Sequence, residues 1–139
     1  MSSSLFVDTS GWASLLVNTQ PFYPQADQHF RLAFQQHKGI ITTNYVIAEL
    51  VALLNSPLRI PRPRIFEIVD AIKTVPYVGV IHIDEVTDTT AWELCKSRPD
   101  KAWSLVDCTS FISMQQLGIQ EALTTDQHFE QAGFIRLLK

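Results

Sequence analysis

The sequence predicts an α/β protein with a central, mostly parallel sheet of about five short strands, covered by helices on both faces. Short apolar segments alternate along the chain with longer segments whose apolar residues recur at helical spacing. This alternation is typical of parallel sheets built from β-α units. The 139 residues, 46% hydrophobic and 18% charged, show no internal repeat or domain-scale linker. We therefore expect one domain, residues 1–139, with a single core.

The first half of the chain is expected to contain two strands and four helices. Thr9 or Ser10 can cap the first helix, and two proline-containing segments, 20–24 and 55–63, are expected to be loops. The helix that begins at Asn44 is apolar on all sides and is expected to be largely buried. In order, the elements are strand 5–7, helix 9–17, helix 25–37, strand 39–42, helix 44–54 and helix 64–74.

The second half is expected to contain three strands and three helices. Asp84 can cap the first of these helices, Gly118 ends the second in the position that a left-handed cap prefers, and Gly133 ends the third. In order, the elements are strand 78–83, helix 84–97, helix 104–117, strand 122–124, helix 126–131 and strand 134–138. In open parallel sheets, binding sites form beyond the carboxyl ends of the strands.

Composition restricts the function classes. The formal net charge is −3, so contact with phosphate needs a local basic patch or bound cations rather than a generally basic surface. Cys95 and Cys108 have no zinc-ligand spacing and are expected to be small buried side chains in a reducing compartment. The start of the chain lacks a signal-peptide pattern, and no apolar run reaches the ~20 residues of a membrane span. We expect a cytoplasmic protein with no membrane segment.

Four carboxylates have unusual positions in the sequence. Asp8 is the only Asp, Glu, Lys or Arg in the first 26 residues, and Glu49 and Asp107 each stand alone in a long apolar segment. Burying an unpaired carboxylate is costly, so such groups normally pair or bind metal. Asp126 follows a predicted strand, as Asp8 does. We expect these side chains to approach one another at the carboxyl edge of the sheet.

Carboxylates that converge at one edge would raise one another's pKa values, and a divalent cation would relieve that conflict. Oxygen ligands without His or Cys select Mg²⁺ or Mn²⁺ over zinc. Such ions position a water and stabilise charge on a phosphate. The structural alternative is that Asp8 and Asp126 cap helices and that Ser104 and Asp107 form a capping box. Glu49, in the middle of a helix, has no capping role available.

Four segments carry a resemblance to a known family. They are Leu5-Phe-Val-Asp8-Thr-Ser10, Thr43-Asn44-Tyr-Val-Ile-Ala-Glu49-Leu50, Ser104-Leu-Val-Asp107-Cys108 and Leu123-Thr-Thr-Asp126-Gln-His-Phe129. With these segments the chain resembles the PIN-domain family, in particular the VapC-type toxin ribonucleases of bacterial toxin–antitoxin pairs. The segments follow the family order over nearly the whole chain. The resemblance implies a three-layer α/β/α sandwich with a central parallel sheet.

The resemblance also implies functional residues and partners. Asp8, Glu49, Asp107 and Asp126 would form the acidic site around Mg²⁺ or Mn²⁺, with RNA as the substrate. Family members commonly form homodimers and are held inactive by a cognate antitoxin, so both associations are expected. The supporting positions that match the family are Ser10, Asn44, Asp100 and Thr125.

Residues 58–64 form the densest basic stretch of the chain. This stretch could guide an RNA backbone, and the simpler interpretation is a solvated, proline-stiffened loop. The candidate RNA contacts, including two in the loop before the Asp107 helix, are Arg59, Arg62, Arg64, Arg98 and Lys101. The four histidines have no ligand spacing, and His128 is expected to have a structural hydrogen-bonding role. Trp12 and Trp92 are expected to pack in the core.

We therefore expect a metal-dependent endoribonuclease in which water attacks the phosphodiester in line, without a covalent enzyme intermediate. One alternative is a non-catalytic PIN-like binding module that holds metal poorly. A second is a phospho-accepting receiver domain, in which Asp84 would be the phosphate acceptor. That domain also needs a lysine directly after a late strand, and no lysine directly follows the strand 122–124.

Overall fold

The computed structural model describes residues 4–139. Residues 1–3 lie outside the described residues, so the expectation that the first residues lack a signal peptide concerns a segment that is only partly described. In chain order the elements are β1 (Leu5–Val7), α1 (Thr9–Leu16), α2 (Tyr23–Gln35), β2 (Ile40–Thr43), α3 (Asn44–Asn55), α4 (Arg62–Thr74), β3 (Val78–Ile81), α5 (Glu85–Ser97), α6 (Leu105–Leu117), β4 (Glu121–Leu123), α7 (Gln127–Gln131) and β5 (Ile135–Arg136). No helix within residues 4–139 has the length and apolar character needed to cross a membrane.

The five strands form one sheet in the order β3-β2-β1-β4-β5, and every neighbouring pair is parallel. The chain moves outward from β1 to β2 and β3, then returns past β1 to β4 and β5. Crossovers between parallel strands are almost always right-handed, so this strand order predicts α1 to α4 on one face and α5 to α7 on the other. The predicted α/β/α sandwich with a parallel sheet is confirmed.

The central strands β1 and β4 lie at the topological switch point of the sheet. The connection that leaves β1 runs to one side and the connection that leaves β4 runs to the other. In the register of this pair, Val7 lies beside Leu123. The next residue of each strand, Asp8 or Thr124, therefore emerges at the same edge, where open parallel sheets hold their ligands.

Two helices begin earlier than predicted because proline is favoured in the first helical turn. Pro24 lies in the first turn of α2 and Pro63 in the first turn of α4. The ring fixes a helical φ, and the missing N–H is one that the first turn leaves unbonded in any case. The predicted loops 20–24 and 55–63 are correspondingly shorter. Strands β3 and β5, at the two edges of the sheet, are shorter than predicted.

Helix α3 is buried on one side only, so the expectation that it is largely buried is wrong. Its buried residues are Val46, Ile47, Leu50 and Leu54. The opposite side carries Ala48, Glu49, Val51 and Ala52 and is exposed. The helix packs on α1, α4 and α6, and these contacts cover a single stripe. The two exposed alanines add little apolar surface, which is why an apolar composition is compatible with an exposed face.

Helices α5 and α6 pack through small side chains. Cys108 is buried, Cys95 is partly exposed, both are free thiols, and their Sγ atoms are 3.1 Å apart. The expectation of small buried side chains holds fully for Cys108 and in part for Cys95.

Trp92 was expected in the core but is 52% exposed, because it follows the buried Ala91 and so points away from the packed side. Trp12 is buried as predicted, and its Nε1 donates to Thr42 Oγ1.

Candidate active site

Asp8 is the first residue after β1 and the N-cap of α1, and it is only 6% exposed. Its Oδ1 accepts from the backbone N–H of Gly11 and from Ser10 Oγ, both at 2.9 Å. Its Oδ2 accepts from Thr124 Oγ1 at 2.7 Å. Burial raises the pKa of Asp8 from 3.8 to about 7, although these three hydrogen bonds lower it, and the charge of Asp126 raises it further.

Gly11 allows the first turn of α1 to lie directly against β4. A Cβ atom at this position would lie 1.9 Å from the carbonyl oxygen of Leu123. Because that oxygen belongs to the backbone of a central strand, it cannot move aside cheaply. The glycine therefore lets the Asp8 cap approach the end of β4, where Thr124 completes its hydrogen bonds.

Asp107 combines a capping role with a position in the acidic site. Its Oδ2 accepts from the backbone N–H of Ser104 at 3.1 Å, and Ser104 Oγ accepts from the backbone N–H of Asp107 at 3.0 Å. This is the capping box that the sequence suggested. The same Oδ2 lies 3.0 Å from Nδ1 of His128. The cap thus fixes the carboxylate and does not remove it from the site.

Asp126 is the N-cap of α7 and is linked to Asp8 through one side chain. Its Oδ1 accepts from the backbone N–H of His128 at 2.9 Å. Its own backbone N–H donates to Thr124 Oγ1 at 3.0 Å, and this hydroxyl is the one that donates to Asp8. A continuous chain of polar contacts therefore runs from Asp8 through Thr124, Asp126 and His128 to Asp107.

Asp8, Asp107, Asp126 and His128 are here called the acidic cluster, and its three carboxylates fit a hard divalent cation. Ligand atoms of Asp107, Asp126 and His128 lie within 4.8 Å of one another. No Lys or Arg within the described part of the chain forms a salt bridge with the three carboxylates. Carboxylate oxygens without a Lys or Arg partner are the donor set that Mg²⁺ and Mn²⁺ prefer.

Glu49 lies beside this cluster. The sequence suggested that its side chain is buried, but it is exposed. Its Oε1 accepts from Thr9 Oγ1, and Thr9 directly follows Asp8. Its side chain projects from the exposed side of α3. The structure therefore links Glu49 to the acidic cluster through Thr9, without a direct contact between Glu49 and another carboxylate. Its proposed role stays a prediction that depends on the family resemblance.

Two of the four supporting residues lie in the site. Ser10 Oγ donates to Asp8, lies 3.2 Å from Thr124 Oγ1 and accepts from the backbone N–H of Thr125 at 2.9 Å. Thr125 contributes this backbone group, and the neighbouring Thr124 supplies the hydroxyl that contacts Asp8. Ser10 and Thr125 together connect the start of α1 to the end of β4.

The other two supporting residues have different partners. Asn44 Oδ1 accepts from the backbone N–H of Ile83 at 2.8 Å, which ties the start of α3 to the segment after β3. Asp100 is exposed and pairs with Arg98 through two hydrogen bonds of 3.0 and 3.1 Å. The Arg98 guanidinium lowers the pKa of Asp100. No hydrogen bond or salt bridge among residues 4–139 joins Asn44 or Asp100 to the acidic cluster.

The candidate RNA contacts lie on the surface in two groups. Arg59, Arg62 and Arg64 are exposed, and the Arg62 guanidinium lies 5.2 Å from the centre of the Phe66 ring. In the second group, Arg98 stacks over Trp103 at 5.1 Å, and Lys101 is partly exposed nearby.

A cavity of about 260 Å³ opens beside the acidic cluster. It is lined by Ser10, Thr125, Leu53 and the 20–22 segment, among others. A second cavity is lined by residues 16–19 and Arg64, among others.

Sequence reasoning missed Thr124 and the site position of His128. Thr124 ends a predicted strand, but its contact with Asp8 depends on the pairing of β1 with β4, which local sequence does not show. The expected hydrogen-bonding role of His128 is found, and its partners are two of the candidate metal ligands. The sequence signal that could have placed His128 in the site is its position two residues after Asp126 in one short segment.

The profile of the PIN domain matches residues 5–135. The chain belongs to the PIN domain family. Over 133 residues this PIN domain is 33% identical to the 23S rRNA-specific endonuclease VapC20 of two Mycobacterium tuberculosis strains, CDC 1551/Oshkosh and H37Rv. Each match covers 96% of this chain and 97% of the relative.

A solved structure agrees with this assignment. The crystal structure of M. tuberculosis VapC20, a sarcin–ricin loop cleaving toxin, matches this PIN domain with a TM-score of 0.84 at 30% identity. The match covers 98% of this chain and 100% of that one. The resemblance to VapC-type PIN domains that the four sequence segments indicated is confirmed.

Proposed function

We propose that this PIN domain is an endoribonuclease of the VapC toxin type that requires Mg²⁺ or Mn²⁺. The proposed ligands are the carboxylates of Asp8, Asp107 and Asp126, with Glu49 completing the set. The main support is the position of three carboxylates without a Lys or Arg partner at the carboxyl edge of the sheet, where Asp107 and Asp126 have ligand atoms within 4.8 Å of each other and Asp8 is linked to Asp126 through Thr124. The similarity to an endonuclease over nearly the full length of both chains supports the same reaction class.

The proposed substrate is ribosomal RNA. VapC20 is described as 23S rRNA-specific and as cleaving the sarcin–ricin loop, and this chain shares a third of its residues with that protein. We infer the same substrate class here, with action in the cytoplasm, where ribosomes are found. We also propose a cognate antitoxin as the inhibitory partner and a homodimer as the assembly.

The chain's own residues hold the site in a defined geometry before any ligand arrives. Three donors fix the orientation of the Asp8 carboxylate, and the capping interactions fix Asp107 and Asp126. When bound, a divalent cation lowers the pKa of a water and neutralises charge on the phosphate. In hydrolysis water forms the new bond to phosphorus, the bond to the ribose oxygen breaks, and that oxygen takes up a proton in place of the one that the water loses, so no enzyme nucleophile is needed.

The raised pKa of Asp8 is consistent with a cation site. Burial penalises the ionised carboxylate, and a positive charge nearby favours it. The metal-free fold therefore keeps at neutral pH a carboxyl group that is poised to ionise when a cation binds. A purely structural cap would be more stable in a solvated position, where ionisation carries no such penalty.

The receiver-domain alternative conflicts with the sheet order. Asp84 follows β3, which is an edge strand, whereas the central position belongs to β1. Asp84 Oδ1 accepts from the backbone N–H of Thr87 and caps α5. The proposed phosphate acceptor would thus lie away from the acidic cluster.

The proposal is tested by incubating purified protein with an RNA that contains the sarcin–ricin loop. We expect cleavage with Mg²⁺ or Mn²⁺ and none in EDTA. Asp8→Asn should lower the rate by more than about a hundredfold, because cation stabilisation of the reaction amounts to several kcal/mol. Asp70→Asn, which removes an exposed carboxylate on α4, serves as the matched control and should retain parental activity. Metal-independent cleavage, or full activity of Asp8→Asn, would contradict the proposal.

A further inference from the structure

We propose that His128 is a positioning residue that orients Asp107 and Asp126 for the cation without binding the cation itself. The proposed role rests on the proposed function, since it concerns the same site. Nδ1 of His128 lies 3.0 Å from Asp107 Oδ2 and 3.3 Å from Asp126 Oδ1. One ring nitrogen thus hydrogen-bonds to Asp107 on α6 and lies close to Asp126, the N-cap of α7.

The hydrogen bonds of the two carboxylates divide their oxygens into two kinds. Asp107 Oδ2 and Asp126 Oδ1 contact His128 and also accept backbone N–H groups of helix caps. Within the described residues, Asp107 Oδ1 and Asp126 Oδ2 accept no hydrogen bond. The imidazole therefore contacts only the oxygens already used in capping and leaves the other two for a cation.

The chemistry of Nδ1 favours positioning over metal ligation. Of the two ring nitrogens only Nε2 keeps a lone pair, whereas Nδ1, which donates its hydrogen to a carboxylate, has none for a metal. Mg²⁺ and Mn²⁺ prefer oxygen ligands, and two carboxylate oxygens are available next to this nitrogen. Hydrogen bonds of this kind orient metal ligands in many sites, and their loss typically costs 10–100-fold in metal affinity.

The position of His128 is fixed by the hydrophobic core. The next residue, Phe129, is fully buried, and its ring centre lies 5.0 Å from that of Phe111 and 6.4 Å from that of Phe6. The buried Phe129 ring anchors the short helix α7, and this anchor fixes the position of the neighbouring His128 imidazole. A rigidly held donor is what orientation of a ligand requires.

Two substitutions distinguish the effect of the N–H donor of His128 from the effect of its bulk. His128→Asn keeps an N–H donor close to the place of Nδ1, whereas His128→Leu keeps bulk and removes the donor. Calorimetric titration with Mn²⁺ should show binding to His128→Leu weakened by about 10–100-fold and binding to His128→Asn within about threefold of the parent. His82→Leu, which replaces an exposed histidine, is the control and should bind as the parent does.

A spectroscopic measurement on the parent protein adds a readout that does not depend on the folding of a variant. Electron spin-echo modulation of bound Mn²⁺ should show no coupling to a directly coordinated histidine nitrogen. Such a coupling would make His128 a ligand and overturn the proposal. Parental affinity in His128→Leu, or equal losses in the Leu and Asn variants, would also overturn it while leaving the ribonuclease function intact. Absence of Mn²⁺ binding by the parent would overturn both.

Discussion

At the level of single residues, Asp8 balances burial against hydrogen bonding. Donors from Thr124, Gly11 and Ser10 favour its ionised form, yet burial outweighs them and leaves the pKa at about 7. The metal-free protein therefore carries a proton on Asp8 over a pH range in which the unfolded chain does not. This difference makes the free energy of unfolding depend on pH.

The first prediction concerns that dependence in EDTA. Between pH 3.8 and about 7 the folded state retains the Asp8 proton that the unfolded state loses. The contribution of Asp8 to stability is therefore full below about pH 4 and is lost as the pH rises to about 7, at about 1.4 kcal/mol per pH unit. Asp8→Asn should lack this component in urea unfolding experiments. An unchanged pH profile in the variant would contradict the raised pKa.

The second prediction concerns Gly11. A Cβ at this position meets the backbone of β4, so Gly11→Ala should lower the free energy of unfolding by about 1–3 kcal/mol. It should also weaken Mn²⁺ binding, because the shifted helix start no longer holds Asp8. Gly79→Ala is the control, since its Cβ would lie 3.1 Å from the end of the flexible Ile41 side chain and at an ordinary contact distance of 3.9 Å from the Ile40 carbonyl oxygen. Equal stability losses in the two variants would show that the close approach is unimportant.

At the level of elements, α7 shows how a short helix can carry a functional group. It has five residues and places Asp126 and His128 in the site. So short a helix has little stability of its own. Phe129, buried against Phe6 and Phe111, supplies the anchor.

The third prediction tests this anchor. Phe129→Leu should lower the free energy of unfolding by about 1–2 kcal/mol, since a leucine fills the aromatic site incompletely. Mn²⁺ affinity should fall as well, because α7 carries a proposed ligand. Phe66→Leu, on the exposed side of α4, should change neither quantity. A Phe129 variant with parental stability and affinity would exclude the anchoring role.

Elements with strong local signals could be predicted from the sequence. Asp84 and Ser104 cap helices and Gly118 ends one in the left-handed conformation, as expected, because these effects depend on neighbouring backbone groups alone. The burial of α3 could not be predicted, because the stripe that it buries is decided by its packing against α1, α4 and α6. Glu49 was consequently expected to be buried and is exposed.

At the level of the whole molecule, strand order creates the site. Asp8 and Asp126 could be predicted as neighbours because both follow strands of a parallel sheet. The Thr124 hydroxyl that joins them could not be predicted, because nothing in the sequence around residue 124 shows that β4 pairs with β1. The roles of the carboxylates rest on this long-range pairing together with the family assignment.

The fourth prediction concerns charge over the whole surface. With a net charge of −3, RNA binding should depend on few basic side chains. The double variant Arg62→Ala/Arg64→Ala, made in the Asp8→Asn background to prevent cleavage, should bind RNA more weakly in fluorescence anisotropy. Its log–log salt slope should fall by roughly 0.7 per lost phosphate contact. Arg31→Ala, which removes an exposed arginine that belongs to neither group of candidate RNA contacts, is the control. An unchanged slope in the double variant would exclude this surface from RNA binding.

The central claim is that Asp8, Asp107 and Asp126 converge to hold a divalent cation at the switch point between β1 and β4. The most direct test is a crystal structure of the protein soaked in Mn²⁺, with anomalous scattering used to locate the metal. We predict an anomalous peak among the oxygens of these three carboxylates, and its loss in Asp8→Asn crystals. Crystals of the active parent protein with no peak at this edge of the sheet, or with the only peak elsewhere, would contradict the claim.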